Sequence, residues 1–338
     1  MWAARPPPAT SAPAPRGHEF LRGFLAHCAR QGTPLDFVSF HTKGARYTPW
    51  RVYGPLGGPA PQRQSPSALK MLREVRAALD AVNEHPRFRE LPCVVDECDA
   101  SVPAHWGVYD NANFAYRNTE YFPVFQCKLM KKLLDLDERG GAQVHLATTW
   151  SFYFEGERLF EGTRSLFTAQ GVEKPVLNAY RMLARLGDTR LAVESRDAWP
   201  LDRLDGGDAG MPEEVDALAT FNGRDCVSVL VWRHADDQHA ADTAAREVAL
   251  SIERLPFAGP VGVRHWRIDA RHSNSHTAWQ ALGRPQDPSE GQLRAIKERQ
   301  GLELLEPERE IAGAGGRVTL TVALPLPSVS LLEIRAAG

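Results

Sequence analysis

Helix and strand patterns alternate along the first half of the chain, and this order constrains the fold more than any other feature. Apolar residues recur at helical spacing over residues 19–31, 66–82, about 123 to 136, and 174–187. Short apolar runs typical of strands lie between them, at 35–40, 91–95 and 142–154. Such alternation indicates a parallel sheet with right-handed crossovers. Periodicity alone does not separate a closed barrel from an open sheet.

Polar residues gather where each predicted strand ends. His41 and Lys43 follow the first strand. Glu97 and Asp99 follow the second, in the segment LPCVVDECDAS, and residues 150–157 lie at the end of the third. The active site of a parallel α/β barrel lies at the carboxyl ends of its strands. The pattern therefore predicts a site at this end of the sheet.

Beyond about residue 190 the pattern changes to strands with visible alternation. In RVTLTVALPL, for example, Val318, Leu320 and Val322 share one face. One helix is predicted over residues 287–301, capped by Asp287 with Glu290 closing a capping box. This half is expected to form a mostly antiparallel β-sandwich that packs against the first domain.

Composition sets the class of protein and the expected division of the chain. The 338 residues exceed what one small core usually holds, so we expect two domains after a Pro/Ala-rich tail. The predicted segments are an irregular tail at 1–18, a partial (β/α) barrel at 19–190, and the β-sandwich at 191–338. The tail lacks the pattern of a signal peptide, which favours a cytoplasmic location.

Charge and cysteine content exclude several classes of partner. The net charge is −2 and there is no basic stripe, so we expect no nucleic-acid partner. No apolar run approaches the roughly 18 residues of a membrane helix, so we expect no membrane partner. Five scattered cysteines argue against a disulfide framework. Cys93 and Cys98 have no histidine cluster nearby, so no metal site is expected.

Several stretches, taken in order, resemble glycoside hydrolase family 39, which contains β-xylosidases and α-L-iduronidases. Together they extend over nearly all of residues 19–338. The stretches that carry the resemblance are PLDFVSFHTKGAR, CVVDECD, ATTWSFYFEGE, EKPVLNAYRML, HWRIDARHSNSHTAWQALGRPQDPSEGQL and LPLPSVSLLEI. The resemblance implies an α/β plus β fold, in which the C-terminal half of a TIM (β/α)8 barrel is followed by a β-sandwich domain.

The resemblance also implies a retaining O-glycosidase that needs no cofactor. Such an enzyme uses two carboxyl groups about 5–5.5 Å apart, one as nucleophile and one as general acid/base. Glu97 matches the nucleophile of the family. The acid/base of the family lies in an Asn-Glu-Pro motif, which this chain lacks; its one Asn-Glu pair is Asn83-Glu84, followed by His85. The first four barrel strands would lie before Met1, so truncation at the N-terminus is expected.

Four further residues are implied to bind the sugar. His41 would contact a hydroxyl group or the nucleophile, Trp150 would stack on the sugar face, and Glu157 would bind hydroxyls. Lys43 resembles the lysine that contacts the substrate carboxylate in the iduronidase branch. Each has a structural alternative, as a strand-end, core or surface residue. The carboxylates considered as a replacement acid are Asp36, Asp99, Asp110, Glu155 and Glu157, and the loop residues His105 and Arg117 are further candidates to line the site.

Three functions remain open at this stage. The first is a β-xylosidase-like hydrolase of O-glycosyl bonds with a carbohydrate substrate. The second is an iduronidase-like hydrolase of uronate-containing glycans, which Lys43 favours. The third is an inactive fragment that binds sugar or acts only as a scaffold, because the acid/base is missing. A half barrel would leave sheet edges and core surface uncovered, which predicts self-association.

Overall fold

The computed structural model describes residues 18–45, 64–101, 103–204, 210–257, 259–313 and 315–337. The predicted tail at 1–18 therefore lies, apart from His18, outside the described residues. The same holds for most of residues 48–66, a Pro/Gly-rich stretch whose composition predicts a loop. The helices are α1 Glu19–Gln31, α2 Ala68–Asn83, α3 Tyr121–Asp137, α4 Val176–Leu183, α5 Ser275–Ala281 and α6 Glu290–Glu298. Short 3-10 helices occupy Ala112–Asn118 and Leu201–Arg203.

Two sheets and a two-stranded ribbon contain the strands. The parallel strands are β1 Val38–Lys43, β2 Cys93–Asp99 and β3 Val144–Ala147. The strands of the larger sheet are β4 Thr189–Leu191, β5 Glu214–Phe221, β6 Cys226–His234, β8 Val261–Ile268, β9 Glu303–Leu304, β10 Arg309–Ile311 and β12 Ser328–Ala336. The ribbon pairs β7 Asp242–Ile252 with β11 Val318–Leu326.

The parallel sheet has the order β1-β2-β3 and is covered by helices on one face. Val38 and Phe40 of β1, with Cys93 and Val95 of β2, join a core with α1, α2 and α3. The opposite face is open in the described part of the chain, and Ser39 is exposed there. Parallel sheets are usually covered by helices on both faces. The three described strands form no closed barrel.

The antiparallel sheet has the order β10-β8-β12-β6-β5-β4, with β9 pairing to β8. Its one face packs against the ribbon of β7 and β11, where Val318, Leu320 and Val322 are buried as their alternation predicts. The other face packs against α3 and α4 through a second apolar cluster. The predicted domain boundary at residue 190 stays a prediction; β4 crosses it and pairs with β5.

Helix α3 lies between the two sheets and contributes to both cores. Phe125 and Leu129 pack with the parallel sheet, whereas Val124 and Cys127 pack with the antiparallel sheet. A helix that is apolar on most of its circumference is expected to be buried. Most of KLMKKLLDL is accordingly buried, including Lys128 and Lys132, whereas Leu134 is exposed.

The lysines of α3 form buried ion pairs with the antiparallel sheet. Lys132 Nζ lies 3.1 Å from Glu214 Oε2 and 2.9 Å from Asp216 Oδ2, both on β5. Lys128 Nζ lies 3.1 Å from Asp236 Oδ1, just after β6. Each ammonium is thus paired with carboxylates, which buried charges require.

Two sequence predictions of helix ends are wrong. The helix predicted to run from residue 174 to Gly187 ends at Leu183, with Ala184 as its C-cap. Gly187 instead lies so close to Phe221 that a Cβ on this glycine would be 2.3 Å from the Phe221 carbonyl carbon. Helix α6 is capped by Ser289, not Asp287. Its capping box is closed by Gln292, because Ser289 Oγ accepts from the Gln292 N–H and the Gln292 side chain accepts from the Ser289 N–H.

A second helix, α5, interrupts the β-rich half where only one was predicted. Asn274 caps it by accepting a hydrogen bond from the Thr277 N–H at 3.1 Å.

Across the described ranges, no helix combines the length and apolar character that crossing a bilayer requires.

Substitution of Lys132 by Met is expected to destabilise the fold by about 3–5 kcal/mol, because it leaves Glu214 and Asp216 buried with part of their charge uncompensated. Urea unfolding at neutral pH measures the change. The control is Arg317→Met, which breaks a pair with Glu253 that is 60% and 54% exposed. That change is expected to cost less than about 1 kcal/mol. Equal losses in the two variants would contradict this account of the α3 interface.

Candidate active site

A β-bulge in β2 determines which side chains reach the open face of the parallel sheet. Phe40 pairs with Val95, but the next residue of β1, His41, pairs with Glu97, so Asp96 is the extra residue. Without the bulge, strict alternation from Val95 would direct Glu97 toward the helices. A bulge re-aims the side chains that follow it. Glu97 and Asp99 therefore lie beside His41 and Lys43, at the carboxyl ends of the strands.

Glu97 is held by two cations through a single oxygen. Lys43 Nζ lies 3.0 Å and Arg164 Nη2 lies 3.1 Å from Glu97 Oε2. His41 Nδ1 lies 3.9 Å from the same oxygen. Partial burial raises the pKa of the Glu97 carboxyl, but the hydrogen bond and charge of Lys43, with Arg164 and His41, outweigh burial and lower the pKa overall. Glu97 is 23% exposed, so an ionised carboxylate faces solvent.

Asp99 lies behind Glu97 and contacts the same two cations. Asp99 Oδ2 lies 3.3 Å from Arg164 Nε and 3.7 Å from Lys43 Nζ. Asp99 Oδ1 accepts a hydrogen bond of 2.6 Å from Thr149 Oγ1. Asp99 is fully buried, and burial raises the pKa of its carboxyl against the opposing effects of Arg164, Thr149 and Lys43. The four charged groups form a balanced cluster of two cations and two carboxylates.

Lys43 is less accessible than its position at a strand end predicts. Its ammonium also donates to the Glu97 carbonyl oxygen at 2.6 Å. Burial lowers the pKa of Lys43, Asp99 and Glu97 raise it, and Arg164 adds to the lowering, so the pKa falls below its ordinary value. The ammonium is therefore engaged by the nucleophile candidate. Its predicted contact with a substrate carboxylate stays a prediction.

Trp150 is half-exposed beside this cluster, as a sugar-stacking residue must be. The pairing of β3 with β2 continues through Thr148, whose N–H donates to the Val95 carbonyl at 2.9 Å. Arg164 Nε donates to the Trp150 carbonyl oxygen at 3.0 Å, and its guanidinium lies 5.6 Å from the centre of the Trp150 ring. Trp150 is 48% exposed. The geometry is compatible with a sugar platform, and that role stays a prediction.

Glu157 lies in a separate buried cluster. Its Oε2 accepts a hydrogen bond from Thr163 Oγ1. Burial raises the pKa of Glu157 and lowers that of nearby Lys174 to about 7. Lys174 Nζ donates to the Thr163 carbonyl oxygen at 2.7 Å. These contacts support the loop that carries Arg164, and the proposed contact of Glu157 with sugar hydroxyls stays a prediction.

The other carboxylates considered as a replacement acid lie in different surroundings. Asp36 precedes β1 and is exposed, so its predicted place inside the strand is wrong. Asp110 accepts from the Gly107 N–H at 2.7 Å, which stabilises a turn. Glu155 is exposed in the loop after β3. Asp99 alone of these carboxylates contacts the Glu97 cluster among the described residues.

Arg117 and His105 differ in what they do in the loop after β2. Arg117 is fully buried, and its guanidinium donates to the carbonyl oxygens of Ser101, Pro103 and Trp106. It therefore holds the loop from inside and does not line an open site. His105 is exposed and packs edge-on against Trp106.

Arg164 is the site residue that sequence reasoning missed. It lies in a loop 67 residues after Glu97, and its neighbours EGTRSLF show no periodicity that marks a site. A buried arginine is rare unless its charge is paired. That signal depends on burial, which a single sequence does not show. Within the described part of the chain, no group of three or more His, Cys, Asp or Glu side chains has the geometry to hold a metal ion.

Comparison with known proteins identifies the family. The model of glycosyl hydrolases family 39 matches residues 5–311. The chain belongs to this family. The resemblance found in the sequence is therefore confirmed, and membership of the family indicates a glycosidase.

The relatives differ in the substrates they are named for. The chain is similar to a β-xylosidase of Geobacillus stearothermophilus, with 23% identity over 94% of this chain and 55% of the relative. It is also similar to the human α-L-iduronidase, with 26% identity over 93% of this chain and 47% of the relative. The chain thus spans about half the length of the curated relatives it matches.

Solved structures share the fold at low identity. A monomeric β-xylosidase from Caulobacter crescentus CB15 aligns with a TM-score of 0.71 and 18% identity, covering 94% of this chain and 59% of the other. A bacterial orthologue of human α-L-iduronidase aligns with a TM-score of 0.75 and 19% identity, covering 94% of this chain and 53% of the other. At this identity the likeness shows the fold alone.

Lys43→Met is expected to raise the pKa of the Glu97 carboxyl, because it removes both a hydrogen bond and a positive charge from Oε2. A titration of ¹³C-labelled glutamate carboxyls by NMR measures this, with Glu97→Gln used to assign the signal. Lys297→Met, on α6, is the matched control and should leave the titration of Glu97 unchanged. An unchanged Glu97 titration in Lys43→Met would show that Lys43 does not set the charge of this site.

Proposed function

We propose that this chain forms the nucleophile side of a retaining O-glycosidase site, with Glu97 as the nucleophile and a β-xyloside-like sugar as substrate. The observation that supports this most directly is the ionised Glu97 carboxylate at a strand end, bound by Lys43 and Arg164 through Oε2. A nucleophilic carboxylate must be deprotonated and fixed in direction. His41 Nδ1 lies 3.9 Å from this carboxylate and Trp150 contacts Arg164, so that both would contact the bound sugar.

We further propose that the three parallel strands belong to a (β/α)8 barrel. Three features support this: the strands are parallel, their helices cover one face, and the other face is open. The candidate site lies at the carboxyl ends of the strands, where barrel enzymes place their catalytic groups. In this proposal the strands are the C-terminal half of the barrel, followed by the β-sandwich.

The chemistry follows from which oxygen is free to react. Glu97 Oε1 would attack the anomeric carbon while the bond to the leaving group breaks, and the leaving group departs with the electron pair. The product is a glycosyl ester of Glu97. Water would then attack the same carbon, release Glu97 as a carboxylate and lose a proton, so that the anomeric configuration is retained overall. Lys43 and Arg164 would stabilise the departing carboxylate in this second step.

The general acid/base is the part of this mechanism that the proposal does not assign. The chain contains no Asn-Glu-Pro motif. General acid or base catalysis contributes about 10²–10⁴-fold to such reactions. Substrates with a good leaving group do not need that acid in the first step, so they isolate the contribution of Glu97.

A 2-deoxy-2-fluoro-β-xylosyl fluoride is expected to label Glu97 covalently. Fluoride leaves without a general acid, and the fluorine at carbon 2 slows hydrolysis of the ester. Intact mass spectrometry would show one added fluorosugar, and peptide mapping would place it on Glu97. Glu97→Gln should not be labelled, whereas the surface control Glu298→Gln, on α6, should be labelled normally.

Absence of label from the folded wild-type chain would overturn the proposed function and favour a sugar-binding or scaffold role. If label forms, sodium azide should accelerate turnover of a dinitrophenyl xyloside and give a glycosyl azide of retained configuration. Azide attacks the anomeric carbon of the ester without needing a base and releases Glu97 as a carboxylate, so rescue would show that the second carboxylate is lacking. No rescue, with rapid hydrolysis in water, would show that a working acid/base is present.

The alternative substrate is a uronate-containing glycan, which the resemblance of HTKGAR to the iduronidase branch favours. The charge balance of the cluster argues for the neutral sugar, because Lys43 and Arg164 already face Glu97 and Asp99. We expect aryl xyloside to be cleaved faster than aryl iduronide. Faster cleavage of the iduronide would contradict this expectation. If Lys43→Ala then abolished cleavage of the iduronide but not of the xyloside, Lys43 would be assigned to the substrate carboxylate.

A further inference from the structure

Asp99 contacts both cations that bind Glu97 but is shielded from any substrate. It lies one alternation beyond Glu97 on β2, on the same face of the sheet, and pairs in register with Lys43. Its side chain is fully buried, whereas Glu97 reaches solvent. A carboxylate in that position acts on the site through Lys43 and Arg164 and not by touching the sugar.

The geometry shows what Asp99 does to the two cations. Lys43 and Arg164 converge on one oxygen of Glu97, and like charges held so close repel each other. Asp99 Oδ2 lies 3.3 Å from Arg164 Nε and 3.7 Å from Lys43 Nζ, so it supplies the second negative charge between them. Glu74 Oε2 accepts from the backbone N–H of Lys43 at 3.0 Å, and Glu74 pairs with the ammonium of Lys70 at 3.3 Å. Of these groups, Asp99 and Glu97 are the carboxylates that face the ammonium.

The direction of Asp99 is itself fixed by the chain that follows β3. Thr149 Oγ1 donates to Asp99 Oδ1 at 2.6 Å, and this leaves Oδ2 directed at the cations. Arg164 is held in turn by the carbonyl oxygens of Trp150 and Ser101, at 3.0 and 3.1 Å. The cluster therefore joins the ends of β1, β2 and β3 with the loop that carries Arg164.

We propose that Asp99 is a positioning residue that holds the Lys43 ammonium and the Arg164 guanidinium against Glu97 Oε2. This leaves Oε1 directed at the anomeric carbon. The inference rests on the proposed function for its catalytic meaning, but the arrangement of charges it describes is independent of any reaction. Asp99→Asn keeps the shape and the contact with Thr149 while it removes the charge.

The first measurement does not require activity. In Asp99→Asn the ammonium of Lys43 should titrate at lower pH than in the wild-type chain, because burial and Arg164 are then less opposed. Lysine ¹⁵Nζ NMR would measure this, with Lys43→Met used to assign the signal. An unchanged Lys43 titration in folded Asp99→Asn would overturn the proposal, whatever the chain does to glycosides.

The second measurement is the rate of covalent labelling by the fluoroxylosyl fluoride. Asp99→Asn should lower the rate at saturation on the order of 10²-fold, as misplacement of a reacting group by about 1 Å does, with little change in the half-saturating concentration. A wild-type rate in the folded variant would overturn the proposal. Labelling absent from the wild-type chain, together with a shifted Lys43 titration, would instead refute the proposed function and leave the positioning role intact.

A matched control separates positioning from stability. Asp216 is also buried, also contacts two cations, and lies on β5 away from Glu97. Asp216→Asn should lower the midpoint of urea unfolding but leave the labelling rate unchanged. In addition, the effects of Asp99→Asn and Lys43→Met on the labelling rate should not be additive, since both act through one contact. Additive effects would show that Asp99 acts independently of Lys43.

Discussion

The candidate active site depends on one extra residue in one strand. Asp96 breaks the alternation of β2, so that Val95 faces the helices while Glu97 and Asp99 face the open side. The first half of the strand thus packs in the core and its second half supplies carboxylates to the open face. With strict alternation, Glu97 would share the face of Val95 and point into the core. The hydrogen bond from Ser39 and the contact of His41 with Asp96 at 3.2 Å hold the bulge from the neighbouring strand.

A second constraint is that charges near the bulge must balance. Glu97 would be an ordinary surface carboxylate without Lys43 and Arg164, and those two cations would be costly to bury without Asp99. The cluster therefore behaves as one unit, in which each member is explained by the others. Because the cluster contains two cations and two anions, every member is charged but the net charge of the site is close to zero.

The sequence predicted the elements better than the contacts between them. The order of helices and strands around Glu97 followed from apolar spacing, and so did the burial of Val318 and its neighbours. The bulge was not predictable, because it is a property of how β1 pairs with β2 and not of β2 alone. Arg164 and Thr149 reach the site from the chain beyond β3, so their roles depend on the folded arrangement. The prediction of the α6 cap was wrong for a local reason: Asp287 and Ser289 lie two residues apart, and both residue types are favourable N-caps.

The position of α3 has a consequence for how the molecule opens. Because its opposite sides belong to different cores, neither sheet can release this helix without exposing apolar surface that the other sheet also covers. The free energy of unfolding either half locally is therefore expected to be close to that of unfolding both. The backbone amides of α3 should exchange with solvent deuterium only through events of that size. The sheet that carries Glu97 therefore derives part of its rigidity from contacts such as that of Lys132 on α3 with Asp216, which lies 84 residues further along the chain.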